Sequence, residues 1–270
     1  MGPSTLTIQG IDLLIEGDGS DTLVMIHGWP DTRRLWDGTV AALKSRFRCV
    51  RFTLPGFELA KPARATSLRQ MTGLIADIVD AVSPARPVTL VLHDWGCIFG
   101  YEFAARQPER VARIVAVDIG DYNSDAYSRS LSLKARALVF VYQYWLALAW
   151  TVGGAAGNAM TRWMARRSGC RAASSAIGWQ MNYPYAMRWF GLLGGFRGAA
   201  QVAHGCPVLF IYGLRKPFMF QSPDWLAGLA KRPGCAVQSF PTGHWVMLQQ
   251  PEAFNRCVAS WLTNASMLPR

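Results

Sequence analysis

The chain has 270 residues and half of them are hydrophobic, enough for one large α/β domain carrying an insertion. Its formal charge is +11, which would suit nucleic acid or anionic lipid. The basic residues form no long run, however, and no nucleic-acid motif appears, so nucleic-acid binding is excluded as the expected role. Six cysteines (Cys49, Cys97, Cys170, Cys206, Cys235, Cys257) are scattered, never at metal-ligand spacing. Several lie in apolar runs, the pattern of reduced thiols in a cytoplasmic core. The N-terminus lacks a basic start and an apolar block, so no secretory signal is expected. Glycine-rich phosphate loops and His/Cys/carboxylate clusters are missing, so no nucleotide, flavin or metal cofactor is expected.

In chain order, Leu6–Ile8 and Ile11–Ile15 read as two short antiparallel strands. Thr22–Ile26 reads as a buried strand running into His27-Gly28-Trp29-Pro30-Asp31. A helix fits Leu35 to Phe47, with Asp31 or Thr32 as its cap. Cys49–Leu54 is the next strand, closed by Pro55-Gly56. Leu68, Met71, Leu74, Ile75, Ile78, Val79 and Val82 recur at helical spacing. Val88–Leu92 is a run of aliphatic residues that a strand buried on both faces requires. Asp94 follows, then Gly96, Gly100 and a helix toward Pro108. Strand, sharp turn and helix is the setting in which a nucleophile stands exposed on a strained elbow. A helix N-cap is the alternative reading of Asp94. Arg113–Ile119 is the next strand.

From Tyr122 to Ala200 the strand rhythm stops. This stretch is rich in Trp, Tyr, Met, Ala and Gly, and carries nine basic residues against Asp125 alone. It reads as a helical cap inserted into the core, giving residues 1–121 and 201–270 as the two parts of the core and 122–200 as the insertion. Its most apolar segment, Leu138 to Val152, is short for a membrane span and includes Gln143, so a buried or groove-lining helix is expected, with an interfacial helix as the alternative and without stable membrane insertion. The alternation then resumes with strand Val208–Tyr212, a helix from Ser222, strand Ala236–Phe240, Gly243-His244-Trp245 and a last helix to about Leu262. Alternating β and α elements imply a mostly parallel sheet covered on both faces.

Four motifs stand at strand ends in a fixed order: His27-Gly28-Trp29-Pro30, Leu54-Pro55-Gly56-Phe57, His93-Asp94-Trp95-Gly96 and Gly243-His244-Trp245. Through them the chain resembles the α/β-hydrolase fold with an eight-stranded sheet and a helical cap. The aspartate at the elbow places the resemblance with soluble epoxide hydrolases and haloalkane dehalogenases. The chemistry fits the residue type. A carboxylate already ionised at neutral pH can attack a saturated carbon, and the resulting ester has a carbonyl that water can then hydrolyse.

The resemblance implies Asp94 as nucleophile, His244 as the base that activates water, and the backbone amides of Trp29 and Trp95 as the oxyanion hole. His27 is read as shaping its loop, His93 as packing against neighbouring loops, and His204 as without a role. In epoxide hydrolases an acid follows the strand after the cap, but here that position holds Lys216, which cannot accept the imidazole N–H. The supporting acid is instead placed at Asp118, as in some dehalogenases, with Asp121 second. Two cap tyrosines would protonate an epoxide oxygen: Tyr142, and one of Tyr183 and Tyr185, with Tyr185 taken first. Leu92 stands where epoxide hydrolases often have glycine, a feature closer to dehalogenases.

The leading expectation is an epoxide hydrolase acting on an apolar small molecule. A dehalogenase using the same nucleophile is the alternative, and a catalytically silent small-ligand binder, suggested by Lys216, is a third.

Overall fold

The computed structural model describes residues 2–203 and 205–264. Eight strands form one sheet: β1 (Ser4–Ile8), β2 (Ile11–Glu16), β3 (Thr22–Ile26), β4 (Arg48–Phe52), β5 (Val88–His93), β6 (Val111–Val117), β7 (Val208–Gly213) and β8 (Ala236–Phe240). Their order across the sheet is β1-β2-β4-β3-β5-β6-β7-β8. β1 and β2 pair antiparallel, as does β2 with β4, and the remaining pairs are parallel.

Strand periodicity divides the core. Val24, Ile26, Leu90, Leu92, Ala116 and Phe210 face one side. Their neighbours Leu23, Met25, Val91, Val115, Val117, Leu209 and Ile211 face the other. Successive side chains on a strand point in opposite directions, so a strand buried on both faces must be apolar throughout. The first side is covered by α2 (Leu68–Val82) and α3 (Trp95–Arg106), and the second by α1 (Asp37–Leu43) and α10 (Pro251–Thr263). Helix α2 begins with a capping box, in which Ser67 and Gln70 each satisfy the other's backbone amide.

The single helix expected over Leu35 to Phe47 is a 3-10 turn at Arg33–Trp36 running into the seven-residue α1. Thr32 caps the turn by accepting from the Arg34 amide at 3.4 Å. Asp31 does not cap, because its carboxylate accepts the Trp245 indole N–H at 2.7 Å.

Between β6 and β7 the chain forms α4 (Asp125–Ser130), α5 (Leu133–Val152), α6 (Gly154–Arg167) and α7 (Tyr183–Phe190). Helices α8 (Pro223–Ala230) and α9 (Val246–Gln249) complete the set. No described helix is long and apolar enough to cross a membrane.

The strand order reverses between β3 and β5, the first leading outward to β4 and the second toward β6 to β8. A crevice outside the carboxyl ends of the strands is expected at such a point. The segments after β3, β5, β6, β7 and β8 all converge there.

Candidate active site

Asp94 occupies the turn between β5 and α3 with φ 53° and ψ −123°. A non-glycine residue in that region is strained, and its surroundings must hold it there. Gly96 allows the close approach: a Cβ on it would stand 2.3 Å from the Ile26 carbonyl oxygen. Gly100 likewise makes room for Leu92, whose methyl carbons would lie 2.6 Å from a Cβ. Leu92 is therefore accommodated by a small partner one helical turn into α3. Asp94 sits at the N-cap position of α3 without making a side-chain cap bond. Its oxygens are turned elsewhere, so the N-cap alternative does not describe them.

The Trp29 amide donates to Asp94 Oδ1 at 2.6 Å. Gly28 brings the loop that close, since a Cβ there would stand 2.3 Å from the same oxygen. The Trp95 amide, the second expected donor, makes no hydrogen bond to Asp94 among the described residues. It lies on the same cradle, 2.5 Å from where that Gly28 Cβ would be. Asp94 Oδ2 faces His244, with Nε2 3.4 Å away.

On the other side of the ring, His244 Nδ1 donates to Asp118 Oδ2 at 2.5 Å. Asp118 follows β6 at φ 74° and is fully buried. Its Oδ1 accepts from the Gly213 amide at 3.1 Å and from the Lys216 ammonium. Lys216 is itself almost fully buried, with its charge over the Phe220 ring. Lys216 is thus the counter-charge of Asp118. Asp121 does not reach His244. It accepts from the Ser222 amide and hydroxyl, both at 2.7 Å, and ties β6 to the start of α8.

Burial works against the His244 charge, but Asp118 and then Asp94 outweigh it and hold the imidazolium up to about 9. Burial would raise the Asp94 carboxyl, yet His244, with help from His93 and the Trp29 amide, keeps it below the usual carboxylate range. Burial opposes ionisation of Asp118 too, and Lys216 and His244 together bring it down.

The remaining described histidines are structural in geometry. His27 donates from Nδ1 to the Gly28 carbonyl and accepts the Leu54 amide at Nε2, both at 2.9 Å. Burial lowers its pKa to about 4, so it stays neutral. His93 donates from Nε2 to the His244 carbonyl at 3.2 Å and packs against the His244 ring at 4.4 Å between centroids. It holds the loop carrying His244. His204 lies outside the described residues.

A cavity of about 190 Å³ opens above Asp94. Trp95, Ile98, Ile119 and Phe220 line it from the sheet side, and Arg136, Phe140, Tyr142, Tyr185 and Arg188 line it from α5 and α7. The Tyr185 ring packs edge-on to Trp95 at 5.1 Å and to Trp29 at 5.8 Å. Tyr183 points away, packed against Phe57 and Trp150. The Tyr142 hydroxyl accepts from Gln143 Nε2 at 2.9 Å, and Gln143 Oε1 accepts the Trp189 indole at 3.2 Å. That arrangement leaves the phenol's own proton free to be donated. Burial pushes both phenols up, and the Asp94 charge adds in the same direction, so both hydroxyls stay protonated.

Several supports were not legible in the sequence. The Trp29 indole donates to Asn182 Oδ1 at 2.8 Å, and Asn182 Nδ2 donates to Thr161 at 2.7 Å. This chain locks the amide-bearing loop to the insertion across 153 residues. Asp31 is another, its carboxyl pushed up to about 7 by burial beneath the Trp245 indole. Neither carries a spacing signal, because each partner is distant in sequence.

Residues 23–256 match the model of the Alpha/beta hydrolase family. Among curated proteins, the chain is 26% identical over 132 residues to Epoxide hydrolase 1 of Caenorhabditis elegans, covering 47% of this chain and 32% of that protein. The matched stretches span only 20% to 42% of the length of such relatives. Among solved structures, an epoxide hydrolase of Bacillus megaterium in complex with an inhibitor superposes with a TM-score of 0.70 at 20% identity, over 97% of this chain and all of that one. A loop variant of the haloalkane dehalogenase DbeA of Bradyrhizobium elkanii gives 0.62 at 19% identity, over 97% of this chain and 96% of that one.

Proposed function

The chain belongs to the alpha/beta hydrolase family, and from that premise we propose that it is an epoxide hydrolase that forms a vicinal diol through an ester of Asp94. The single observation that carries the reading is Asp94 between two partners, with Oδ1 on the Trp29 amide and Oδ2 facing His244 beneath an aromatic cavity.

In this reading the two oxygens do different work. Oδ2 attacks an epoxide carbon, the C–O bond of the ring breaks, and Tyr142 or Tyr185 gives a proton to the departing oxygen. Oδ1 becomes the ester carbonyl oxygen and remains on the Trp29 amide. Water then adds to that carbonyl carbon while His244 takes its proton. The oxyanion forms on Oδ1, where one preorganised donor is worth about 3 kcal/mol. Collapse breaks the bond between the carbonyl carbon and Oδ2, His244 returns its proton to the departing Oδ2, and the second proton of the water restores the tyrosine, leaving the diol with Oδ2 in it and a carboxylate with an oxygen from water.

Ester formation also prepares the base. The negative charge of Asp94 is one of the forces holding His244 protonated. Once Asp94 is an ester that charge is gone, and the imidazole gives up its proton more readily just as water must be activated. Asp118 meanwhile keeps Nδ1 protonated and the ring oriented.

Epoxide is favoured over halide by the Trp29 indole. A halide needs two N–H donors around it; Trp95 fits the first, but the Trp29 indole N–H in the second slot is already held by Asn182. The Tyr142 and Tyr185 hydroxyls suit an alkoxide better. A panel of aryl and alkyl epoxides and haloalkanes, assayed for diol and for halide, tests the assignment. Diol formation abolished by Asp94→Asn is expected, and halide release without diol would transfer the chain to the dehalogenase reading.

A further inference from the structure

The outer face of α5 is apolar and bare. Leu133, Ala137, Val141, Tyr144, Leu148 and Val152 are all exposed, Leu133 by 84% and Val141 by 59%. They recur at i, i+4, i+8, i+11, i+15 and i+19, which places them in one stripe along a helix about 30 Å long. Aromatic rings widen the stripe. Phe140 stacks on Tyr144, and Tyr144 meets Phe190 of α7 edge-on at 5.5 Å, both phenylalanines being exposed as well. Contiguous exposed apolar surface of this kind marks an interaction site.

We propose that this face is a docking surface for an anionic lipid bilayer, on which the inserted helices rest peripherally with α5 in the interface plane. Charge selects the occupant. Residues 122–200 carry nine basic side chains and a single acidic one, Asp125. Lys134 and Arg136 stand on α5 beside the stripe, and Arg166 and Arg167 end the neighbouring α6, all four exposed. A basic helix with an apolar stripe lies at a headgroup boundary, its cations drawn by acidic phospholipid. A second copy would bring two such basic surfaces together, which electrostatics opposes. The cavity opens on the same helix, with Arg136, Val139 and Phe140 among its lining residues. The docked protein would therefore present the mouth of the cavity to the acyl layer, where apolar substrates accumulate. This inference goes beyond the proposed reaction and does not require it.

The test is co-sedimentation of the purified protein with vesicles of phosphatidylcholine alone and of phosphatidylcholine containing phosphatidylglycerol. Binding to the anionic vesicles is expected, with release as salt rises from about 0.1 to about 0.5 M. A Leu133→Glu/Leu148→Glu variant should lose about tenfold in partitioning while retaining its thermal melting profile and its turnover of a water-soluble substrate. Should that variant fail to fold, the lipid and salt arms decide on the wild-type protein. Equal binding to both vesicle types, or to neither, overturns the proposal. A dimer in sedimentation velocity that the double variant dissociates overturns it in favour of self-association.

Discussion

Lys216→Met probes the electrostatics of the site most informatively. The Lys216 ammonium and the His244 imidazolium bind opposite oxygens of the Asp118 carboxylate. Two cations on one carboxylate stand about 6 Å apart, given ordinary hydrogen-bond lengths. At an effective dielectric of about 20 their repulsion is about 3 kcal/mol, or about two pKa units, and solvent reaching the site would reduce it to about one. Removing the lysine should therefore move the His244 pKa upward by about one to two units from its value of about 9. The assay is an NMR pH titration of imidazole-labelled histidines, with His244→Gln to assign the resonance. His27 and His93 do not interfere, because burial holds them at about 4 and about 3. Lys216→Arg, which keeps the charge, should stay close to wild type. A titration in Lys216→Met that is unchanged or moves downward refutes the argument that the lysine opposes the imidazolium through their common carboxylate.

Asp118→Asn should leave formation of the Asp94 ester largely intact while slowing its hydrolysis by on the order of 10⁴, seen as a burst followed by a stalled steady state in rapid-quench kinetics. Tyr185→Phe should slow epoxide opening by about 10² or more, with ester hydrolysis unaffected in single-turnover experiments. The folded state raises His244 from 6.5 to about 9. Such a group adds stability that is fully present below pH 6.5 and lost as pH rises through about 9. The contribution at stake is about 3 kcal/mol. Calorimetry should show Tm falling over that window more steeply in wild type than in His244→Gln.

Strands were legible where burial on both faces forces an apolar run: Thr22–Ile26 coincides with β3, and Val88–Leu92 stops one residue short of the end of β5. The elbow was legible from its residue types, Asp94 followed by Gly96 and Gly100; Gly100 answers Leu92 of the same segment, whereas Gly96 makes room for the Ile26 carbonyl of another strand. Less could be read where partners are distant. Asp118 and His244 are 126 residues apart, and their pairing followed from a family resemblance rather than from spacing. Lys216, which on sequence grounds argued against a working site, gains its meaning from a carboxylate 98 residues away. Which of Asp31 and Thr32 caps the segment expected at Leu35 to Phe47 was hidden for a similar reason, since Asp31 serves Trp245 and leaves the cap to Thr32. The choice between Tyr183 and Tyr185 needed the backbone of α7, which turns one into the cavity and the other into the packing around Phe57.

The covalent role of Asp94 is tested most directly by a single turnover in water enriched in ¹⁸O, with enzyme in excess over epoxide. The diol should then carry no heavy oxygen, and peptide mass spectrometry should find it in the Asp94 carboxylate. Heavy oxygen in the diol after one turnover, with Asp94 unlabelled, would mean that water attacks the epoxide directly and would contradict the account.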